Sequence, residues 1–346
     1  MTLLSISVSF AEGKKKAVVA STIQLSEQEI LYNEGLELLK KGDYNEAASK
    51  FTIAISIDSL FVNAYYNRAI AYTEQGVYNR AMSDIETVIR LFGANDNADN
   101  HVLKAKIHYG IGDVTSAIEE IDRALEISPS NNNALLDKAA LFQATGKYDM
   151  ARSTYTKYNY KTGGDAYSYN ELGNCYNKTG DKRVALDCYR KAYYADSTNN
   201  TVKFNLAKGI WEFDKDTANA LYMVDALIKT DLTNAEYYNL KGYICYQAGD
   251  TAKANANFDL AIKNNNNLAQ AHNGKGLIQI TAGNYTEAIK HFNNAIAANI
   301  NYTDAYINRG IAKEEFKDYT GACEDFKRAS ELGDANATAY FNKQCK

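Results

Sequence analysis

One proline in 346 residues leaves little room for a sheet-and-turn architecture or for proline-rich linkers. Long apolar runs are missing too, and none approaches the roughly 18 residues that a membrane-spanning helix needs. The five cysteines, Cys175, Cys188, Cys245, Cys323 and Cys345, include no CxxC pair and no zinc-type spacing. No metal site is therefore expected, and most of the five read as small apolar fillers of helix cores. Excess basic charge is lacking as well: 38 Lys and Arg stand against 42 Asp and Glu, for a net charge of −4. Lys14–Lys16 is the one basic run, so no nucleic-acid partner is expected. A serine elbow and an HExxH pair are absent, and the glycines of "YGIGD" and "NGKGL" follow no strand signal. The chain therefore reads as a non-enzyme with no cofactor.

What is present is repetition. The stretch "AYYNRAIAYTEQGVYNRAMSDIETVIRL" opens at Ala64, and "AYINRGIAKEEFKDYTGACEDFKRASEL" opens at Ala305. Aligning all such stretches places repeat starts at Gln28, Val62, Ala98, Asn132, Ala166, Asn200, Ala235, Ala269 and Thr303, with the ninth repeat ending near Asn336. Successive starts differ by 34, 36, 34, 34, 34, 35, 34 and 34 residues. Slot eight always holds Gly or Ala and slot twenty always holds Ala, counting one extra residue in the turn of repeat six. Larger side chains follow at slot twenty-four, among them Phe51, Tyr155, Tyr189, Phe258, Phe292 and Phe326. Small slots of this kind let two helices approach closely while the large residue fills the space beside them. Slot fifteen is a glycine that ends the first helix as a left-handed cap in every repeat but six and nine, which lack it. The unit is helix–turn–helix. His101 and His108 are seven apart on one helix, but they fill slots four and eleven, where repeat two has Tyr65 and Tyr72. Those two histidines, and His272 in another slot four, read as core residues and not as ligands.

This pattern resembles the tetratricopeptide repeat family, whose unit is a 34-residue antiparallel helix pair. The resemblance covers residues 28–336, about nine-tenths of the chain. It implies an all-α, right-handed superhelical solenoid of about nine repeats, closed by a solvating cap helix over 337–346. It departs from the family pattern in the missing turn glycines of repeats six and nine, and in a closing proline kept only as Pro129. Ser26 and Glu29 form a capping-box signature at the first helix start.

The family's first helices line a concave groove, mainly through slots two, five, six, nine, twelve and thirteen. Carried onto this chain, repeats one and two contribute Tyr32, Asn33, Tyr66 and Asn67. A polar stretch follows, with Asn170 and Asn174 in repeat five. Repeats six and seven contribute Phe204, Asn205, Lys208, Trp211, Tyr243 and Tyr246. Tyrosine at slot five and asparagine at slot six are common in the family, so Tyr32, Tyr66, Asn33 and Asn67 also read as packing residues. Trp211, the sole tryptophan, is expected to face solvent. Its neighbours would make an exposed aromatic patch of the kind that marks an interaction site. Lys208 adds a cation, so the partner expected here carries an apolar anchor with an acidic neighbour. The lysine-and-asparagine carboxylate clamp of some family members is absent from the first two repeats, which argues against chaperone tails as ligands.

The resemblance implies a protein–protein interaction scaffold that holds a peptide or a partner's helix. The alternative is a structural assembly element that self-associates, or docks into an envelope complex, through its convex face. Residues 1–11, "MTLLSISVSFA", have a short apolar core ending in a small-x-small motif. They read as a signal peptide lacking its charged start, followed by a flexible segment over 12–27, and so as an exported protein, periplasmic or secreted. Without a signal the chain is cytoplasmic. Cys323 on the last repeat's second helix and Cys345 on the cap helix come together if those helices pack antiparallel. In an exported protein they would form a disulfide, and otherwise they remain two thiols.

Overall fold

The structure is a computed structural model, and it describes residues 25–93 and 96–345. The signal-peptide expectation for residues 1–11, and the segment from 12 to 24, lie outside the described residues. Among the described residues the chain forms nineteen α-helices, one π-helical turn and no strand. The fold is that of an all-α solenoid, and within each of its two units every helix packs on its neighbours in sequence. No helix among the described residues is long and apolar enough to cross a membrane.

The chain divides into two units, one ending at Asn131 and one running from Asn132 to Lys346. The first holds three helix pairs: Glu27–Lys41 with Tyr44–Ile57, Val62–Glu74 with Tyr78–Phe92, and Ala98–Ile111 with Val114–Ile127. The second opens with Asn132–Ala144 and Tyr148–Thr162 as repeat four, then Ala166–Thr179 and Lys182–Ala195 as repeat five. Repeat six pairs Asn200–Gly209, extended by the π-helical turn Ile210–Asp214, with Thr217–Thr230. Repeats seven and eight pair Ala235–Gln247 with Thr251–Asn264 and Ala269–Thr281 with Tyr285–Ala298. Repeat nine pairs Thr303–Glu315 with Tyr319–Glu331, and Ala335–Gln344 closes the unit.

Each pair is held by the slots that recur in the sequence. The slot-twenty-four residue is at most 3% exposed in every repeat, from Phe51 through Ile85, Ile121 and Val224 to Phe326. So is the slot-twenty alanine. Opposite them, a Cβ built on Gly242 would fall 2.6 Å from the Phe258 ring, and one built on Gly173 would fall 2.6 Å from the Tyr189 ring. In these repeats the first helix can reach the second only because slot eight has no side chain.

The helix ends follow from local chemistry. The carboxylates of Asp113, Asp250 and Asp318 accept from backbone N–H groups three residues on, at 2.9–3.1 Å, and so start second helices. Glu29 accepts from the Ser26 N–H at 2.8 Å at the first helix start. Where the turn glycine is missing, lysine takes the left-handed conformation instead: Lys215 has φ 59° and Lys317 φ 68°. That geometry costs a non-glycine residue about 1 kcal/mol, which the packed helices on either side outweigh.

Slot seven carries a second, polar fastening that sequence reasoning did not anticipate. Arg68 donates to Asp84 at 2.7 and 2.8 Å across its own helix pair, and to Thr52 of the preceding repeat at 3.0 Å. Arg309 spans Asp325 at 2.9 Å and Asn293 at 2.6 Å in the same way. In repeat three Lys104 reaches Glu120 at 2.9 Å, and the buried His101 ring lies between Asp96 at 2.8 Å and Glu120 at 2.6 Å. Burial pushes the Glu120 carboxyl up, but hydrogen bonds from His101 and Lys104 outweigh it and hold the group below the usual glutamate value. His101 is thus a core residue, as its slot implies, but one fixed by charge.

Cys323 and Cys345 are joined by a disulfide, with Cα atoms 5.6 Å apart, which ties the closing helix to repeat nine. Cys175, Cys188 and Cys245 are free and buried.

Adding a single methyl at slot eight tests how tightly the pairs are packed. Gly242→Ala forces the new Cβ into a fully buried ring and should destabilise the protein by about 1–3 kcal/mol. Urea denaturation followed by circular dichroism reads this directly, and parental stability would mean that Phe258 has room to move.

Candidate functional site

The first helices of repeats six to nine together line a groove of about 560 Å³. Its floor is aromatic and aliphatic: Phe204, Trp211, Tyr243, Leu240, Leu277 and Ile307. Its rim is polar, with Lys208, Glu212, Glu236, Gln270 and Asp304. Every lining residue belongs to a first helix, to the π-helical turn or, for Tyr302, to a helix N-cap. An adjoining groove of about 480 Å³ runs over repeats four to six and is lined mainly by polar groups, including Gln143, Asn174, Asn177, Asn205 and Tyr189. Lys208 and Glu212 border both.

A lattice of side-chain hydrogen bonds holds these surfaces in register. Asn205 donates to Asn170 at 2.9 Å, and Asn308 donates to Asn273 at 2.9 Å. Asn67 donates to the Tyr32 hydroxyl at 3.0 Å in the N-terminal unit. Each bond joins residues 35 apart, from slot six back to slot five of the preceding repeat. Around Glu171, amides of Gln143, Asn170 and Asn174 donate at 2.6, 2.9 and 3.1 Å. Tyr243 donates to the Gln270 carbonyl at 2.7 Å and accepts from Asn273 at 3.1 Å, and burial holds its hydroxyl above the ordinary tyrosine range.

The residues singled out by sequence divide into three sets. Phe204, Lys208, Trp211 and Tyr243 meet at the aromatic groove. Asn174 and Asn205 line the polar groove, with Asn170 buried behind Asn205. Tyr246 lines neither groove and lies 3.0 Å from the Thr281 hydroxyl. Tyr32, Asn33, Tyr66 and Asn67 belong to the N-terminal unit, where Tyr32 packs on Phe51 and Phe61 with ring centroids 5.7 and 4.9 Å away. Sequence reasoning passed over Glu236, Asn239, Gln270 and Asp304. Glu236, Gln270 and Asp304 hold slot two and Asn239 slot five, both among the groove positions, so the signal was present.

Two expectations change. Trp211 does not stand free in solvent. It is partly buried against the cluster of Ala207, Ala220, Val224, Leu240 and Ile244, and its ring centroid lies 6.4 Å from that of Tyr243. Its indole Nε1 is buried with no hydrogen-bond partner. The cause is the extra residue of repeat six. Instead of lengthening the turn, it widens the end of the first helix into the π-helical turn Ile210–Asp214, which carries Trp211. Lys208, in turn, is no isolated cation, because its Nζ lies 3.9 Å from the Glu212 carboxylate.

Two family profiles described as tetratricopeptide repeat match the chain. One matches over residues 32–96, 66–132, 246–303 and 273–337, and the other over 166–199. Comparison with curated proteins found no match. Among solved structures, a tetratricopeptide repeat protein from Parabacteroides merdae ATCC 43184 is 15% identical with a TM-score of 0.66, covering 72% of this chain and 99% of that one. The APC/C hetero-tetramer Cut9-Hcn1 is 16% identical with a TM-score of 0.56, over 83% of this chain and 56% of that one. Yeast Tom70 is 13% identical with a TM-score of 0.50, over 92% and 88%. At these identities the likeness is one of fold.

Because Trp211 packs against the core, its removal should be felt in stability. Trp211→Ala should cost about 2–3 kcal/mol, somewhat less than the 3–5 kcal/mol of a fully buried aromatic. Chemical denaturation monitored by circular dichroism measures it. A loss well under 1 kcal/mol would return the indole to the role of a surface residue.

Proposed function

The chain belongs to the tetratricopeptide repeat family, and we propose that it is a non-enzymatic scaffold holding a peptide or partner helix in the groove of repeats six to nine. The observation that carries the reading is the groove itself. Four successive first helices contribute to one concavity with an aromatic floor and a polar rim, the composition that anchors partner segments. The adjoining amide-rich groove extends the surface over repeats four and five. The register bonds along slots five and six pre-order both, so little side-chain freedom is lost on binding.

One observation favours the alternative, assembly through the opposite face. Tyr160, Tyr194 and Tyr222 stand 91%, 82% and 76% exposed on the second helices of repeats four, five and six. A photo-crosslinking residue placed at Gln270, in the groove, or at Tyr222, on a second helix, separates the two. Partner adducts at Gln270 alone support the groove. Adducts at Tyr222 alone, or a mass above the monomer by light scattering, support assembly.

We also place the chain in an oxidising compartment, on the strength of the Cys323–Cys345 disulfide. By the chain-entropy account, closing this loop stabilises the repeat-nine end by about 3 kcal/mol. Burial raises the other thiols, Cys175 to about 12 and Cys188 to about 11, so they stay protonated and unreactive. Alkylation of the denatured, unreduced native protein should label the three free cysteines and no others. Labelling of Cys323 and Cys345 as well would rule the compartment out.

A further inference from the structure

The partner's chemistry can be read one step further from the groove's unmet needs, and this step rests on the groove reading above. The rim carries three carboxylates, Glu212, Glu236 and Asp304, against one ammonium, Lys208. Lys208 and Glu212 face each other at 3.9 Å. Among the described residues Glu236 and Asp304 have no cation within salt-bridge distance. Both stand exposed at the rim, so their negative charge is presented to whatever enters the groove.

A second observation, independent of these charges, points the same way. Asn239 lines the groove between Glu236 and Tyr243 on one helix, is 7% exposed, and its side-chain carbonyl oxygen has no hydrogen-bond partner. Leaving a buried acceptor unmet is costly, and the other slot-five asparagines here avoid it: Asn170 accepts from Asn205 and Asn273 accepts from Asn308. Asn239 lacks a donor because slot six of the next repeat is Gly274, which has no side chain to offer. Of the three slot-five asparagines, Asn239 alone is left open, and it lies in the groove. The Trp211 indole, also unpartnered, calls for an acceptor. An extended peptide supplies both through its own N–H and C=O groups.

We propose that the groove of repeats six to nine binds a basic peptide segment. An apolar side chain of that segment sits against Phe204, Trp211 and Tyr243, and flanking lysine or arginine side chains meet Glu236 and Asp304. The backbone of the segment donates to Asn239. This reverses the acidic neighbour that Lys208 alone had implied. Desolvation and the nearby charge of Asp334 hold the Asp304 carboxyl above its ordinary value, as befits an acid that lacks its counter-charge.

Trp211 is the only tryptophan in the chain, so its emission reports occupancy of the groove in the unmodified protein. The probes are three short synthetic peptides with one Leu-Phe anchor, flanked by lysines, by glutamines or by glutamates. The lysine peptide should shift the emission and bind at least about ten-fold more tightly than the glutamate peptide at low salt. That preference should shrink as ionic strength rises. The double variant Glu236→Gln, Asp304→Asn should lose the preference and keep its melting temperature. If the glutamate peptide binds as well as the lysine peptide, the charge assignment is overturned while the groove reading stands. If no peptide moves the emission of a monomeric protein, the groove reading falls with it. If the emission shifts with protein concentration alone, in step with a doubling of mass, a second copy fills the groove and the proposal fails.

Discussion

Everything else in this molecule depends on the close approach of two helices at slot eight. Where that slot is glycine, slot twenty-four is Phe or Tyr, as in Gly35 with Phe51 and Gly310 with Phe326. Where it is alanine, slot twenty-four is Ile or Val in three repeats of four: Ala69 with Ile85, Ala105 with Ile121, Ala207 with Val224. Ala139 with Tyr155 is the exception, and there the tyrosine hydroxyl is buried with no partner. The volume across the interface is conserved while its halves trade size, which is what dense packing requires. A fixed inter-helix distance then sets where every other slot must point.

Two polar systems are built on that spacing. Slot-seven cations bridge the second helices of adjacent repeats from the side, as Arg68 and Arg309 do. Slot-five and slot-six side chains join neighbouring first helices across the groove face. Both systems bury charge or amide groups with their partners already present, so desolvation is repaid within the fold. In the groove of repeats six to nine one slot-five asparagine, Asn239, lacks the slot-six donor that the other two have, and the groove's unpaired groups are mainly acceptors and anions.

Repeat six shows how one residue redirects a surface. Its length of 35 residues is one more than its neighbours', and it has no turn glycine. The chain meets both facts together: the helix end opens into a π-helical turn, and Lys215 takes the left-handed position that glycine holds elsewhere. Trp211 sits in that widened turn. Instead of presenting its face to solvent it closes one wall of the aromatic groove, against the cluster around Val224 and Leu240.

The repeat period, the all-α class, the small and large slots and the turn glycines were legible in the sequence. Each follows from local rules, a helix period, a cap conformation or a side-chain volume, that recur wherever the motif recurs. The family resemblance followed from the same slots, and with it the helix faces that line the grooves. Tertiary structure alone decided which slot-six residues find a slot-five partner, and that Asn239 finds none opposite Gly274. It also decided that His101 is gripped by two carboxylates. Those outcomes depend on residues 19 or 35 positions apart meeting at hydrogen-bond distance. A single helix cannot specify such a meeting, because the stacking of one pair on the next sets it to within an ångström.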